Sequence, residues 1–252
     1  MSVVMLAGRG ASTWMVANAI ESEVGLQAVI LESPPSRWQA IRRRASRLGW
    51  AAATGQLLFS LYAGRLRAKS AARSAAIIEA NDLRPERPVG LPVFTVASAN
   101  DAEAIDMLQR LSPRVVVVNG TRILSRQLLE SVDAVFLNMH VGITPKYRGV
   151  HGGYWALANR DLANAGVTVH LVNPGIDTGG ILYQSRIRPL PEDNFVTYPL
   201  LQFAEGLPLM VQAVRDALAG EIRPRPSELP SHLYYLPTLW QYWSTRLRLG
   251  VK

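Results

Sequence analysis

The stretch that decides the fold is Val135–Gln184, which reads VFLNMHVGITPKYRGVHGGYWALANRDLANAGVTVHLVNPGIDTGGILYQ. It opens with an apolar run that delivers Asn138 and His140 at its end. Because side chains repeat every second residue along an extended chain, we expect these two side chains to lie on one face. A second apolar run, over residues 166–172, leads into a glycine-flanked loop that carries Asp177.

These three side chains form a set that is suited to catalysis. An amide can hold a developing oxyanion, an imidazole can move a proton, and a carboxylate can orient or charge the imidazole. Together they are what acyl transfer requires when the nucleophile is the substrate's own amine. Each of these residues has a simpler interpretation when it is taken alone. A lone His140 would more often be a structural histidine, and Asn138 or Asp177 would more often be a residue that forms a turn.

The rest of the chain predicts an α/β fold with a doubly wound, mostly parallel sheet. Short apolar or β-branched runs near residues 3–7, 26–31, 89–96 and 114–118 alternate with helical patterns near 14–23, 101–111 and 125–131. Alternating strands and helices favour parallel pairing, and ligands bind such sheets beyond the carboxyl ends of the strands. We therefore expect the loops at 8–13, 119–124, 138–151 and 172–180 to gather at one edge.

Two segments depart from this alternation. Residues 34–80 show helical spacing of apolar side chains and predict two or three helices inserted after the second strand. Residues 221–252 are rich in proline and aromatic residues and are expected to pack back onto the domain. The expected organisation is one catalytic domain over residues 1–220, which includes the insertion, followed by this C-terminal tail.

The net charge of +8 is concentrated in the insertion. Residues 37–73 contain no acidic residue and nine cations: Arg37, Arg42, Arg43, Arg44, Arg47, Arg65, Arg67, Lys69 and Arg73. The simpler interpretation is a helical cap with solvated arginines that packs on the sheet or, in a homo-oligomer, on another subunit. The alternative is a basic surface for a phosphorylated acceptor, or a peripheral membrane contact through residues 37–73 or the tail.

Composition excludes several classes of protein. The chain has no cysteine, so disulfides and thiolate metal sites are excluded and nothing indicates an oxidising compartment. The start of the sequence lacks the pattern of a signal peptide, and no run of about 18 apolar residues predicts a spanning helix. The expectation is a cytoplasmic protein with a sizeable core.

A glycine loop near the N-terminus allows a different interpretation. Gly8-Arg9-Gly10-Ala11-Ser12 joins the first strand to the first helix, which can aim backbone N–H groups at an anion. Glu32 follows at the distance where a dinucleotide-binding fold holds a ribose, although Thr13 stands where a third glycine is expected. A nicotinamide-dependent oxidoreductase is therefore the rival enzyme class, and a simple tight turn is the plain alternative.

The central motifs resemble those of the folate-dependent formyltransferase family, in particular the branch that acts on glycinamide ribonucleotide. The resemblance rests on Asn138-Met139-His140, Thr144-Pro145-Lys146-Tyr147-Arg148-Gly149, Gly166-Val167-Thr168-Val169-His170 and Asp177-Thr178-Gly179. The Gly8–Ser12 loop is similar to that branch's phosphate-cradling loop. The resemblance covers residues 1–33 and 89–190 but not the insertion or the tail.

This resemblance implies roles and a co-substrate. Asn138 would polarise a formyl carbonyl, His140 would handle the proton, Asp177 would steady His140, and His170 would be a secondary contributor. The donor would be 10-formyltetrahydrofolate, with no metal. The residues expected to hold its pterin are Thr121, Arg122, Ile123, Leu124, Asn173 and Gly175. Those expected to hold the acceptor or its phosphate are Gly8, Arg9, Gly10, Ala11, Ser12, Lys146 and Arg148.

Departures from the family pattern bear on the acceptor. Val141-Gly142 stand where the family has Pro-Ser, and Leu171 and Pro174 are also unusual. The Gly8–Ser12 loop favours glycinamide ribonucleotide, whereas the insertion favours a nucleotide-linked amino sugar. Methionyl-tRNA formyltransferases carry a further C-terminal barrel domain, for which the 32 residues of the tail are too few, so no tRNA is expected.

Three alternatives concern the site itself. A metal centre built from His140, His151, His170 and Asp177 is conceivable, but it lacks the HExxH spacing and any cysteine. A serine hydrolase would need a Gly-x-Ser-x-Gly elbow, which the sequence does not contain. A folate- or nucleotide-binding module without turnover stays open, given the altered residues after His140.

Overall fold

The structure is a computed structural model that describes residues 2–252, apart from the side chains of residues 37, 39–41, 43 and 44. Its strands, in chain order, are β1 (Val3–Gly8), β2 (Ala28–Glu32), β3 (Val93–Val96), β4 (Val115–Asn119), β5 (Val135–His140), β6 (Arg148–Gly149), β7 (Gly166–Leu171), β8 (Ile181–Arg186) and β9 (Leu233–Tyr234). Its helices are α1 (Ala11–Glu23), α2 (Arg37–Leu48), α3 (Trp50–Lys69), α4 (Ala71–Ala80), α5 (Ala102–Leu111), α6 (Arg126–Leu129), α7 (Gly152–Ala158), α8 (Tyr198–Ala219) and α9 (Leu239–Leu249), with a 3₁₀ turn at Leu162–Asn164.

A seven-stranded sheet in the order β3-β2-β1-β4-β5-β7-β8 forms the centre of the fold. The pairs from β3 to β5 are parallel, and the last two pairs, β5 with β7 and β7 with β8, are antiparallel. This confirms the predicted doubly wound, mostly parallel sheet. β6 and β9 form a separate, short parallel pair.

The apolar strands are buried because helices cover both faces of the sheet. In β1, Val3, Met5 and Ala7 face a core shared with α1 and α8, while Val4 and Leu6 face a core shared with α5 and α6. A strand with two buried faces needs apolar side chains at every position, which explains the unbroken apolar runs. β3 is the edge strand and begins only at Val93, since Pro92 before it has no N–H to donate.

The inserted segment forms three helices, as its apolar spacing predicts. Gly49, with φ +82°, separates α2 from α3, whereas Gly55 and Gly64 lie inside α3 and do not interrupt it. One face of α3 is buried: Phe59 packs edge-to-face on Phe195 with ring centroids 4.8 Å apart. This contact ties the insertion to the segment that precedes α8.

The last helix, α9, completes the same aromatic cluster. Thr238 caps its N-terminus. The Thr238 hydroxyl accepts a hydrogen bond from the Gln241 N–H, and the Gln241 side-chain oxygen accepts one from the Thr238 N–H. This reciprocal cap defines the start of the helix. Its Tyr242 is fully buried, and the Tyr242 ring lies 5.1 Å from that of Phe59.

We predict that Phe59→Ala lowers the free energy of unfolding by about 3–5 kcal/mol, because it leaves a cavity in a cluster of buried rings. The matched control is Phe94→Ala, which removes the same ring from the edge strand β3, where it is 40% exposed. Chemical denaturation followed by circular dichroism measures both changes. Equal losses for the two variants would contradict the prediction.

Candidate active site

A cavity of about 500 Å³ opens where the loops after β4, β5 and β7 meet. Six separate parts of the chain contribute to its wall, and among them are the carboxyl ends of the parallel strands β4 and β5. The candidate residues that line it are Ser12, Thr121, Arg122, Ile123, Leu124, Asn138, His140, His170, Asn173, Gly175 and Asp177.

Asn138 and His170 face each other across the antiparallel pair of β5 and β7. The register places the two residues directly opposite, and the Asn138 Nδ2 atom lies 3.1 Å from the His170 Nε2 atom. The His170 Nδ1–H donates to the Leu171 carbonyl at 2.7 Å, so a neutral His170 presents a lone pair at Nε2. That lone pair accepts an N–H from Asn138 and orients the amide.

His140 is buried and held at both ring nitrogens. Its Nε2–H donates to the Tyr147 carbonyl at 2.7 Å, and its Nδ1 lies 3.3 Å from the Asp177 Oδ2 atom. Burial lowers the pKa of His140 below its ordinary value, against the opposing effects of the Asp177 carboxylate and the Tyr147 carbonyl. The ring is therefore neutral near pH 7, and a proton that it takes up enters at Nδ1, beside Asp177.

Asp177 joins the two histidines. Its Oδ2 accepts the Gly149 N–H at 2.9 Å, and its Oδ1 lies 3.6 Å from the His170 Nε2. Burial would raise the pKa of Asp177, but His140, His170 and the Gly149 N–H together lower that pKa to about 2. The carboxylate is therefore ionised at neutral pH inside a largely closed site.

The loop between β5 and α7 supplies backbone groups that position both of these side chains. Its Tyr147 carbonyl holds His140, and its Gly149 N–H holds Asp177. Thr168 on β7 anchors the loop: its hydroxyl donates to the Gly142 carbonyl at 2.8 Å and accepts the Thr144 N–H at 3.1 Å. The first part of this loop is thus fixed to β7 by two hydrogen bonds.

Gly142, where the family has serine, allows the loop to come this close. A Cβ atom at Gly142 would contact the Tyr147 carbonyl oxygen and would lie 2.6 Å from the His140 Nε2. Contacts below 3.0 Å require the backbone to shift. The bond between His140 and the Tyr147 carbonyl therefore depends on the absence of a side chain at position 142.

The wall formed by residues 121–124 is braced from behind by Glu32. The carboxylate of Glu32 accepts the backbone N–H groups of Ala99 and Arg122, both at 2.8 Å, and Arg122 also donates to the Ser33 carbonyl at 2.8 Å. Glu32 is buried, and neither carboxylate oxygen is left for a ribose. The nicotinamide interpretation of Glu32 is therefore wrong: the spacing is that of a ribose ligand, but the side chain stabilises the loop.

The loop after β7 is stabilised by its own polar groups. The Asn173 Oδ1 accepts the Gly175 N–H at 3.2 Å and the Thr178 hydroxyl at 2.7 Å. Asp177 has a left-handed backbone conformation, with φ +49°, which turns its side chain back toward the histidines. Asn173 and Gly175 thereby form the rim of the cavity opposite residues 121–124.

The residues predicted to bind phosphate are only partly at the cavity. Ser12, in the first turn of α1, lines it, whereas Gly8, Arg9, Gly10 and Ala11 do not contribute to the wall. Gly8 instead permits close packing of two loops, because a Cβ there would collide with the Gly120 carbonyl oxygen.

Lys146 and Arg148 also lie away from the cavity wall. The Lys146 ammonium is 2.6 Å from the Asp161 carboxylate, and the Arg148 guanidinium donates to the Ile176 carbonyl at 2.9 Å. Both side chains thus brace neighbouring segments of the chain.

The four side chains considered for a metal centre are not all grouped in one place within the described residues. His151 lies apart from His140 and His170, with its ring 4.1 Å from that of Phe195. Over residues 2–252, within the part of the chain that the structure describes, no group of three or more His, Asp or Glu side chains is placed to hold a metal ion.

Sequence reasoning missed several residues that build the site. Asn119, which lines the cavity at the end of β4, carried the signal that singled out Asn138: a polar residue that ends a buried strand. Thr168 and Glu32 act behind the wall, and Tyr147 acts through its carbonyl, so their side-chain chemistry carried no signal of these roles.

Comparison with known sequences places the chain in a family. The family model described as "Formyl transferase" matches residues 28–211, which is more than two thirds of the chain. A methionyl-tRNA formyltransferase from Kosmotoga olearia is 31% identical over 154 residues, which cover 61% of this chain and 49% of the relative. The chain therefore spans about half the length of the curated relatives that it matches.

Comparison with solved structures shows the same fold at low sequence identity. Phosphoribosylglycinamide formyltransferase from Anaplasma phagocytophilum has a TM-score of 0.58 at 19% identity, covering 92% of this chain and 98% of that one. An N-formyltransferase from Helicobacter canadensis, solved with folinic acid and dTDP-3-aminofucose, has a TM-score of 0.55 at 16% identity, covering 93% and 71%. With the family model matched over residues 28–211, the chain belongs to the formyl transferase family.

Proposed function

We propose that this protein transfers a formyl group from 10-formyltetrahydrofolate to the primary amine of a small, phosphorylated acceptor. The observation that carries the proposal is the convergence of Asn138 and His140, both on β5, with Asp177, from the loop after β7, on one cavity. An amide, a buried neutral imidazole and an ionised carboxylate are the groups that formyl transfer to an amine needs.

The cavity fits the donor in size and chemistry. Its volume of about 500 Å³ lies within the range of ligand pockets, about 300–1,000 Å³. Val118, Leu124 and Val172 give it apolar walls, and the peptide groups of residues 121–124 border it. Such a site suits a flat heteroaromatic ring with hydrogen-bonding edges, and folinic acid in the Helicobacter canadensis relative supports a folate.

Asn138 would act on the carbonyl oxygen of the formyl group. Its amide is already oriented by the bond to His170. The second N–H would donate to the carbonyl oxygen as negative charge develops there. Because the amide is fixed before the reaction, this stabilisation needs no reorganisation of the site.

His140 and Asp177 would manage the proton of the attacking amine. A neutral imidazole can accept this proton, and Nδ1 is the nitrogen available to receive it, since Nε2–H donates to Tyr147. The resulting imidazolium would lie 3.3 Å from the Asp177 carboxylate, which stabilises its charge. It would return the proton to the tetrahydrofolate nitrogen as the bond between that nitrogen and the formyl carbon breaks. His170 lies 3.6 Å from the same carboxylate.

The residues at the end of the cavity near α1 are the basis for proposing a phosphorylated acceptor. Ser12 and the first turn of α1 lie at the positive end of the helix dipole, which favours a phosphate. Glycinamide ribonucleotide and a nucleotide-linked amino sugar both carry a phosphate and a primary amine. The curated relatives are named for methionyl-tRNA, so the expectation that this chain does not use tRNA stays a prediction.

The experiment that tests the proposal follows consumption of 10-formyltetrahydrofolate with three amines. These are glycinamide ribonucleotide, a nucleotide-linked amino sugar and methionyl-tRNA. Turnover with either small acceptor supports the proposal. Turnover with methionyl-tRNA alone would overturn its acceptor class, and folate binding without turnover of any amine would indicate a binding module.

We predict that Asn138→Ala lowers kcat by about 10²–10³-fold through loss of the oxyanion donor. For His140→Ala we expect a loss of about 10²–10⁴-fold through loss of the proton acceptor. Folate affinity, measured by fluorescence titration, should change little in both. The matched control is the exposed histidine His232, changed to alanine, which should leave turnover unaltered. Retained turnover in both site variants would reject the assigned roles.

The pH dependence of kcat/KM should report the neutral form of His140. Because burial lowers its pKa from the ordinary 6.5, activity should fall only below pH 6.5. Asp177→Asn removes a carboxylate that raises the pKa of His140, so the acid limb should move to still lower pH. The plateau should also fall, by about 10²-fold, through loss of orientation.

The control for this profile is Asp106→Asn, an exposed aspartate on α5, which should leave both limb and plateau in place. Movement of the acid limb to higher pH in Asp177→Asn would contradict the assigned electrostatics.

A further inference from the structure

Two packed helices, α3 and α9, present large apolar side chains to solvent on their outer side. We call this the α3–α9 surface and define it by Trp50, Leu57 and Leu61 on α3 and Trp240, Trp243 and Leu247 on α9, all of which are exposed. Leu61 is 62% exposed and Leu247 is 79% exposed, values that are unusual for leucine in a folded domain. An apolar patch of this kind marks an interaction site.

The two helices that carry these apolar side chains pack against each other. On α3, Trp50, Leu57 and Leu61 recur at helical spacing and share one face. Trp240 of α9 covers Gly55, where a Cβ would collide with the indole ring, and the Trp243 ring is 5.4 Å from that of Tyr62. The two exposed stripes thus lie on helices that are in direct contact.

Cations surround this surface without acidic partners. The last turns of α3 carry Arg65, Arg67 and Lys69, and α9 carries Arg246 and Arg248, with Arg246 stacked 5.5 Å from the Trp243 ring. The sequence has no acidic residue from 33 to 78 and none in α9. None of these five cations forms a salt bridge with any residue for which the structure describes a side chain.

The neighbouring helix α2 has the same character. It packs against α3 and exposes Trp38 together with Arg42 and Arg47. Of the nine cations counted from the sequence, the side chains of Arg37, Arg43 and Arg44 lie outside the described residues. The remaining one, Arg73, is paired with Asp193, which lies outside the insertion.

Charge decides which occupant this surface fits. A symmetric pair of copies would place the same patch against itself, and cations would face cations with no acid to neutralise them. Nucleic acid would suit the arginines and the tryptophans, but Leu57, Leu61 and Leu247, which are exposed among them, offer bases no ring to stack on. Leucine and tryptophan rimmed by arginine is the composition of a helix that lies in the headgroup region of an anionic bilayer.

We propose that the α3–α9 surface binds the anionic face of a lipid bilayer. The apolar side chains enter the boundary between headgroups and acyl chains, and the surrounding arginines neutralise lipid phosphates. The binding is peripheral, since no helix within the described part of the chain has the length and apolar character to cross a membrane. The cavity lies elsewhere and shares no residue with this surface, so lipid binding is separable from formyl transfer.

The experiment measures co-sedimentation of the full chain with phosphatidylcholine vesicles that contain about 30% phosphatidylglycerol, against vesicles of phosphatidylcholine alone. Binding should be at least about tenfold tighter to the anionic vesicles and should weaken as salt screens the charges. Leu57→Ser with Leu61→Ser should weaken binding by at least about tenfold. Arg65→Gln with Arg67→Gln should also weaken binding by at least about tenfold, because it removes two positive charges and no apolar side chain.

Two control pairs replace side chains of the same kinds in parts of the protein outside the α3–α9 surface. Val89→Ser with Leu162→Ser replaces two exposed apolar side chains, of which Leu162 is 58% exposed. Arg110→Gln with Arg188→Gln removes two exposed cations elsewhere. Both control pairs should bind like the unaltered protein, and circular dichroism checks that every variant is folded.

The proposal is overturned if the unaltered protein does not bind anionic vesicles, or if the surface variants and their controls bind equally well. Sedimentation velocity addresses the remaining rival, a second copy of the chain. A dimer that dissociates in Leu57→Ser with Leu61→Ser would make the surface a self-association interface and would also overturn the proposal.

Discussion

The buried carboxylate of Asp177 is the constraint on which the site depends. A charge that is largely removed from water is costly unless donors and opposite charges surround it. The Gly149 N–H from the intervening loop donates to this carboxylate, and His140 from β5 and His170 from β7, whose rings can take up a proton, lie within 3.6 Å of it. Because each group comes from a different element, the carboxylate is stabilised only when the sheet is assembled and the loop is closed. The arrangement that stabilises the fold here is thus the arrangement that would manage a proton during formyl transfer.

The antiparallel end of the sheet creates this convergence. In a wholly parallel sheet, the ends of β5 and β7 would reach the cavity without facing each other. Here β7 runs back along β5, and the register sets His170 opposite Asn138 and Thr168 opposite His140. The first pair orients the amide. In the second, Thr168 anchors the loop whose Tyr147 carbonyl holds His140.

The inserted helices and the C-terminal helix serve a different purpose from the cavity. Their inner faces share one cluster of rings, in which Phe59, Phe195 and Tyr242 are fully or nearly fully buried. A helix that packs on one face normally leaves polar side chains on the other. The outer faces of α3 and α9 instead keep leucine and tryptophan among arginines. Chemistry and membrane contact, as proposed, therefore occupy separate parts of the molecule and can vary independently.

The sequence by itself determined the fold class, the helical character of residues 34–80 and part of the cavity wall, because strand and helix periodicities are local and ligands bind at strand ends. Tertiary structure alone decided how those residues are used. The acid at position 32 had the spacing of a ribose ligand, yet its two oxygens hold the Ala99 and Arg122 N–H groups. Lys146 and Arg148, expected near a phosphate, brace other segments. The physical reason is that hydrogen-bond partners are chosen by distance in space, and neither spacing nor composition records which backbone groups approach a side chain.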